Sequence, residues 1–186
     1  MSLSWLPDIR DRIEQLAAEF QVPVGLAIGW IEVESGGHIG EVTSLGERGY
    51  FQLMDDESAS LGLNHDRLSI DIDYSLRGGF MLVDYYRDMV GRWEVETLEG
   101  ELFWRMVKMA HSIGPGACKV IVKQAVASSA LATWSDFRSF CFRNDHKFVV
   151  ALRHSPAKWC ALVDRVFLIG SPFGFDLTCS SNGGKQ

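Results

Sequence analysis

The apolar residues of this chain recur mainly at three- and four-residue intervals, which is the spacing of an amphipathic helix. In the first segment, the apolar positions 9, 13, 16, 17 and 20 fall on one helical face. Pro7 and Asp8 suit the first turn, because its amides lack helical partners and the positive end of the helix dipole favours an acidic side chain. The pattern predicts a helix from Pro7 to about Gln21.

The second segment, residues 24–34, is apolar on nearly every side and predicts a helix buried in the core. Residues 35–37 (SGG) end this helix, because glycine readily takes the left-handed backbone conformation that terminates helices. Glu34 is therefore expected to close a buried helix.

Turn-forming residues dominate 38–62, where the sequence predicts a short irregular β-hairpin over 40–52 and a short helix over 57–61. Apolar periodicity predicts further helices, and the small polar tail at 180–186 is expected to be frayed. The predicted helices cover residues 70–91, 102–112, 117–127, 135–142, 146–153 and 157–169. Because no internal repeat or linker interrupts the chain, the pattern predicts one mainly α-helical domain over 1–186.

The composition, with 47% apolar and 23% charged residues among 186, is that of a soluble globular domain. The net charge of −6 argues against nucleic acid as a partner, because phosphate binding needs clustered basic side chains. No apolar stretch reaches the roughly 18 residues of a membrane span. The N-terminus lacks the basic start and apolar run of a secretory signal, so no signal peptide is visible.

The four cysteines lie in the C-terminal half, and their spacing matches no metal-binding or redox motif. They are Cys118, Cys141, Cys160 and Cys179. Buried thiols are expected, and disulfides are the alternative that an oxidising compartment would favour. The five histidines show no H-E-x-x-H or paired spacing, so neither a metal nor a cofactor is expected.

Glu34 is the candidate for acid–base chemistry. Burial raises the pKa of a carboxyl group because it disfavours the charged form. A carboxyl group kept protonated in this way suits a general acid that donates a proton to the leaving oxygen of a glycoside. The alternative is a glutamate that faces solvent at a helix end.

Three short blocks bear on this choice through their order and spacing. They are ESGG at 34–37, GYFQLM at 49–54 and AHSIGPG at 110–116, with a related stretch at 70–79 between the last two. Together they resemble the motifs of soluble lytic transglycosylases and goose-type lysozymes, over residues 22–122. The resemblance implies a lysozyme-like helical domain whose small β-hairpin region lines the cleft, with residues 123–179 as a helical extension packed on this catalytic core.

The resemblance also implies a reaction. Glu34 would protonate the glycosidic oxygen between N-acetylmuramic acid and N-acetylglucosamine, and would then take the proton of the muramyl C6 hydroxyl as a 1,6-anhydro ring closes. The residues implied to contact the substrate are Ser35, Tyr50, Phe51, Gln52, His111 and Ser112. For the aromatic rings of Tyr50 and Phe51, two roles are open: stacking on a sugar, or filling the core.

The third block departs from the family pattern, since His111 and Ser112 stand where the family has tyrosine and asparagine. A protonated imidazole would pair with Glu34 and lower the pKa of its carboxyl group. A neutral imidazole would orient the carboxyl group through a hydrogen bond instead. The charge of His111 is therefore the property to establish.

Glu47 is a candidate second carboxylate, in the loop GERG at 46–49, because goose-type lysozymes have a similar GDRG stretch nearby. It could assist an attacking water, as a hydrolytic muramidase requires. The alternative is an exposed loop residue that pairs with Arg48.

The sequence thus supports three hypotheses. The first is a lytic transglycosylase, the second a goose-type-like hydrolytic muramidase with Glu47 assisting water, and the third a non-catalytic wall-binding or phage structural module with the same fold. In each, the partner is the glycan strand of peptidoglycan, the chain is expected to be monomeric, and the location is the cell wall, reached as a periplasmic, secreted or phage-borne protein.

Overall fold

The fold comes from a computed structural model that describes residues 3–153 and 155–175. The expectations for Cys179 and for a frayed tail at 180–186 lie outside these residues. As the periodicity predicts, the chain is mainly α-helical. The eight α-helices of the described residues are α1 (Leu6–Phe20), α2 (Val24–Ser35), α3 (Asp55–Ser60), α4 (Ile72–Gly91), α5 (Gly100–Ile113), α6 (Pro115–Ala127), α7 (Trp134–Leu152) and α8 (Pro156–Gly170). Two short 3₁₀ helices, Asp66–Ser69 and Ser171–Phe173, were not predicted.

The first two helices end where the sequence predicts. Helix α1 has a proline and Asp8 in its first turn, and Gln21 caps its C-terminus in the left-handed conformation. Helix α2 ends at Ser35, and Gly36 caps it with a φ of 59°, followed by a φ of 77° at Gly37. Glycine reaches these angles without the steric cost that other residues meet, so the chain can turn sharply directly after α2.

The prediction of two helices over 135–142 and 146–153 is wrong, because α7 runs without a break from Trp134 to Leu152. Residues 143–145 are polar but include neither proline nor glycine, and the side-chain amide of Asn144 donates to the Phe140 carbonyl one turn earlier, at 2.9 Å. The rings of Phe140 and Phe148 are both buried and 5.9 Å apart. Their shared face keeps the helix continuous across the polar stretch.

The predicted β-hairpin over 40–52 is not confirmed. Within the described residues of this segment, strand pairing is limited to two isolated antiparallel bridges, Val42 with Arg48 and Arg48 with Leu53. Positive φ angles of 86° at Gly46, 76° at Gly49 and 51° at Gln52 turn the backbone repeatedly. A backbone that turns every three residues cannot build a regular ladder of hydrogen bonds.

The described chain divides into two compact units. The first contains the residues up to Tyr85 and those from Arg165 onward, and the second contains Tyr86–Asp164. The predicted extension over 123–179 is therefore shared between the units, and its packing on a catalytic core over 22–122 stays a prediction.

In the first unit, the C-terminal end of α8 packs directly against α2. A Cβ atom on Gly25 would lie 2.5 Å from the carbonyl oxygen of Gly170, and one on Gly29 would lie 2.0 Å from that of Val166. Because these contacts are with backbone atoms, which cannot swing away, both positions of α2 need glycine. The close approach explains why this helix is buried on nearly every side, as the sequence predicts.

The second unit contains three buried free thiols, Cys118 of α6, Cys141 of α7 and Cys160 of α8. Burial raises the pKa of the Cys118 thiol, and a hydrogen bond with Cys160 together with burial raises that of Cys141. These three cysteines are thus the buried thiols that the sequence predicts. No helix among residues 3–153 and 155–175 is both long and apolar enough to cross a membrane.

Candidate active site

Glu34 is the last residue but one of α2, and its side chain is partly exposed. The left-handed turn at Gly36 and Gly37 follows immediately, so the carboxylate lies where the chain leaves the core. Glu32 lies two residues earlier, about 200° around the helix from Glu34. Its carboxylate accepts a 2.7 Å hydrogen bond from the indole nitrogen of Trp5.

Ser35 connects the end of α2 to the second block. Its hydroxyl is 2.9 Å from the carbonyl oxygen of Tyr50 and 3.2 Å from that of Ile31, and its side chain is buried. Since a hydroxyl has a single proton, the shorter contact is the principal hydrogen bond. The structure thus uses Ser35 to join the blocks at 34–37 and 49–54, while its predicted contact with substrate stays a prediction.

The turn at 49–52 is also fixed from its other side, by α4. The backbone amide of Tyr50 donates to the hydroxyl of Ser75 at 3.1 Å. A Cβ atom on Gly49 would lie 2.5 Å from that same hydroxyl oxygen, so only glycine lets the two segments approach this closely. The Tyr50 side chain is 4% exposed, and burial together with the negative charge of Asp8 raises the pKa of its phenol.

Phe51 lies in the core of the first unit. Its ring is fully buried, with ring centroids 6.0 Å from Trp30 and 5.7 Å from Phe80. A Cβ atom on Gly79 of α4 would lie 1.9 Å from this ring, so the ring rests on bare helix backbone. Of the two roles considered for Phe51, the structure shows core filling.

Gln52 is buried at 2% exposure in the left-handed conformation, with a φ of 51°. Its side-chain nitrogen donates to the carbonyl oxygens of Gly49 at 2.8 Å and Glu41 at 3.3 Å. Both partners are acceptors, which identifies this end of the amide as the nitrogen. The other end, Oε1, is buried and has no hydrogen-bond partner in the described structure. The predicted contact of Gln52 with substrate stays a prediction.

Glu47 makes its contacts within its own loop. Its carboxylate accepts a 2.7 Å hydrogen bond from the hydroxyl of Thr43, and its backbone amide donates to the same hydroxyl at 3.2 Å. Arg48 pairs instead with Asp66 at 3.2 Å and donates to the hydroxyl of Ser69 at 3.2 Å. The side-chain partner of Glu47 is thus Thr43, whereas the sequence suggested Arg48. The role of Glu47 as a second carboxylate stays a prediction.

A pocket of about 440 Å³ opens in the loop region that the sequence predicts to line a cleft. The residues that line it include Arg48, Asp55, Asp56 and His65. The His65 ring is fixed on both sides, with Nδ1 2.9 Å from the Ser58 hydroxyl and Nε2 2.9 Å from the Gly46 carbonyl oxygen. Basic and acidic residues therefore both line this pocket, and hydrogen bonds of His65 hold the loop around it in place.

His111 lies on α5 in the second unit, with its Nδ1 3.2 Å from the ammonium nitrogen of Lys108 and its ring edge-on to Tyr86. Burial, reinforced by the positive charge of Lys108, holds the pKa of the imidazole well below its usual value. His111 is therefore neutral at physiological pH, and because Nδ1 accepts from an ammonium group its proton is on Nε2. Of the two forms considered for His111, the lowered pKa favours the neutral one. A hydrogen bond from His111 to Glu34 stays a prediction.

Lys108 is the residue of this region that sequence reasoning missed. It is fully buried, and its ammonium group also donates to the hydroxyl of Ser112 at 3.0 Å. The signal was present, since Lys108 interrupts the otherwise apolar run 106–110 (MVKMA) on a helix with a strong apolar face. A lysine in such a position must find polar partners, because burying an unpaired charge is very costly.

The arrangement can support proton transfer by a carboxylate, with rigid backbone around it and polar groups in the adjoining loop. Among residues 3–153 and 155–175, no three histidine, cysteine, aspartate or glutamate side chains are grouped so as to hold a metal ion. Neither a protein-family model nor a curated protein matches the chain significantly.

Proposed function

We propose that the chain is a lysozyme-like lytic transglycosylase that cleaves peptidoglycan, with Glu34 as its general acid and base. The observation that carries the proposal is the 2.9 Å hydrogen bond from Ser35 to the carbonyl oxygen of Tyr50. It joins two blocks that are fifteen residues apart and that both belong to the resemblance. If each block matched the family only by chance, there would be no reason for the two blocks to be in contact.

The reaction needs one carboxyl group in two protonation states. Glu34 first donates its proton to the glycosidic oxygen, and the bond from that oxygen to the muramyl C1 breaks as positive charge develops at C1. The Glu34 carboxylate then removes the proton of the C6 hydroxyl, whose oxygen forms the new bond to C1. The proton returns to Glu34, the 1,6-anhydro ring is closed, and no water is consumed.

Rigidity around Glu34 supports this role. Because the backbone of Tyr50 is held by Ser35 at its carbonyl and by Ser75 at its amide, the turn at 49–52 is fixed against the end of α2. Acid–base catalysis depends on holding the carboxyl group within hydrogen-bonding distance of the reacting oxygen. A position at the end of a buried helix, next to a braced turn, provides that.

The polar groups of the first unit support a peptidoglycan substrate over a neutral polysaccharide. The pocket that contains Arg48, Asp55 and Asp56 suits a ligand that carries both carboxylate and ammonium groups, as the peptide stems of peptidoglycan do.

The test is digestion of purified peptidoglycan by the native chain, followed by mass analysis of the muramyl ends. We expect 1,6-anhydro ends from the native chain, and we expect Glu34→Gln to release them about 10²- to 10⁴-fold more slowly. Glu14→Gln is the matched control, because Glu14 is an exposed glutamate on α1 that pairs with Arg10.

Two other outcomes of this digestion would contradict the proposal. Reducing muramyl ends would indicate hydrolysis, with a second group activating water. Binding of peptidoglycan without release of any product, by the native chain and by Glu34→Gln alike, would indicate a non-catalytic module.

A further inference from the structure

Trp5 is held on the turn that follows Glu34. Its indole nitrogen donates to the Glu32 carboxylate at 2.7 Å, and a Cβ atom on Gly37 would lie 2.0 Å from Cγ of the indole. The five-membered ring thus rests on the bare backbone of Gly37, three residues after Glu34. Two independent contacts, one polar and one apolar, fix the orientation of the ring.

Trp5 differs from the other aromatic residues near this turn in its exposure. Trp30 and Phe51 are fully buried and Tyr50 is 4% exposed, whereas the Trp5 side chain is partly exposed. Because Glu32 already satisfies the indole nitrogen, the remaining atoms of the indole ring system are apolar carbons. An aromatic side chain that is partly exposed and already fixed in orientation can serve as a binding surface.

Sugar rings are ligands that such a face recognises. The C–H groups on one side of a β-linked N-acetylhexosamine form an apolar surface with slight positive charge, which complements the negative face of an indole. Binding costs little conformational entropy when the indole is already fixed in place.

We propose that Trp5 is a sugar-binding platform on which one N-acetylhexosamine ring of a β-1,4-linked glycan strand stacks. This inference rests on the proposed function for the choice of glycan, and it adds a substrate contact outside the three motif blocks. Glu32 and Gly37 are positioning residues in it, because they hold the indole without touching the sugar.

The experiment measures binding apart from turnover. The tetramer of β-1,4-linked N-acetylglucosamine is titrated by calorimetry into Glu34→Gln and into the same chain carrying Trp5→Leu or Trp5→Phe. We expect Trp5→Leu to weaken binding about tenfold, and Trp5→Phe, which keeps an aromatic face, to weaken it much less. Equal affinities for Trp5→Leu and its parent, or no binding of the tetramer by the parent, would overturn the inference.

Trp134→Leu in the same Glu34→Gln chain is the matched control. Trp134 is also partly exposed, and its indole nitrogen also donates to a carboxylate, that of Asp164, at 2.6 Å. It belongs to the second unit and should leave the affinity unchanged. A loss for Trp134→Leu equal to that for Trp5→Leu would also overturn the inference, since it would indicate a general effect of removing a tryptophan.

Melting temperatures and peptidoglycan cleavage allow the sugar-binding role of Trp5 and the catalytic role of Glu34 to be tested separately. The melting temperature of each variant identifies unfolding, and Trp5→Phe preserves the test if Trp5→Leu does not fold. If Glu34→Gln abolishes peptidoglycan cleavage while Trp5→Leu binds normally, the platform is wrong and the proposed function stands. If Trp5→Leu weakens binding while Glu34→Gln cleaves normally, the platform stands and the assignment of Glu34 is wrong.

Discussion

The hydroxyl of Ser35 donates a 2.9 Å hydrogen bond to the carbonyl oxygen of Tyr50, and both residues are buried. The bond links the last residue of α2 to a turn whose amide is held in turn by Ser75 of α4. Glu34 therefore stands beside a backbone connection between two helices, and its position depends on that connection.

Removing this hydroxyl should destabilise the protein. Ser35→Ala leaves the Tyr50 carbonyl oxygen buried without its partner, and we expect a loss of about 1–3 kcal/mol in the free energy of unfolding. Urea unfolding measures it. Ser60→Ala is the control, because Ser60 is exposed and its hydroxyl bonds only to the Asp56 carbonyl within α3, so the expected change is below about 0.5 kcal/mol. Equal effects of the two substitutions would contradict the role given to Ser35.

Two glycines of α4 should respond in opposite ways to alanine. Gly79→Ala places a methyl group 1.9 Å from the buried Phe51 ring and should cost about 1–3 kcal/mol, because the ring is enclosed by Trp30 and Phe80. Gly91→Ala meets no atom within 4 Å and should be neutral or stabilising by up to about 1 kcal/mol. Thermal unfolding of both variants checks this pair. A Gly79→Ala protein as stable as the native chain would show that Phe51 does not rest on the helix backbone.

Stability should fall as the pH drops below about 6.5, in part because of His111. Its pKa is depressed in the folded protein, so between the unfolded and folded pKa values the unfolded chain binds one more proton, which favours unfolding. His111→Gln keeps an acceptor for Lys108 but does not titrate. Between pH 7 and 5 the native chain should lose more stability than the variant, by at most about 1.4 kcal/mol per pH unit. Parallel profiles for the two proteins would show that His111 titrates normally in the folded state.

The buried thiols should resist alkylation. Because burial raises the pKa of Cys118 and Cys141, little reactive thiolate forms at neutral pH, and reagents cannot reach either sulfur in the folded chain. We expect iodoacetamide to label both residues in denaturant and neither under native conditions, as peptide mass mapping would show. Rapid native labelling of Cys141 would mean that α7 opens readily.

The helical framework could be predicted from sequence because burial imposes a period on the apolar residues. Helices α1 and α2 begin and end within one or two residues of their predicted bounds, since Pro7 and Gly36 act on the backbone locally. The hairpin over 40–52 was predicted from turn residues alone. Those turns are present, but they are too closely spaced for strands to form between them.

The partners of the site residues could not be predicted, because they depend on contacts between distant positions. Trp5 and Glu32 are 27 residues apart, and no local pattern signals that the N-terminal segment returns to the end of α2. Lys108 was detectable in principle as a charge within an apolar run. Its partner His111 lies three residues away on the same helix, which the helical spacing could have indicated.

The central claim is that Glu34 transfers the proton, and the rate of anhydromuropeptide release from peptidoglycan by Glu34→Gln tests it most directly. Glutamine has nearly the same shape but cannot donate or accept this proton. The account predicts a fall in rate of about 10²- to 10⁴-fold, with the melting temperature of the native chain retained. A correctly folded Glu34→Gln protein that releases the same products at the native rate would contradict it.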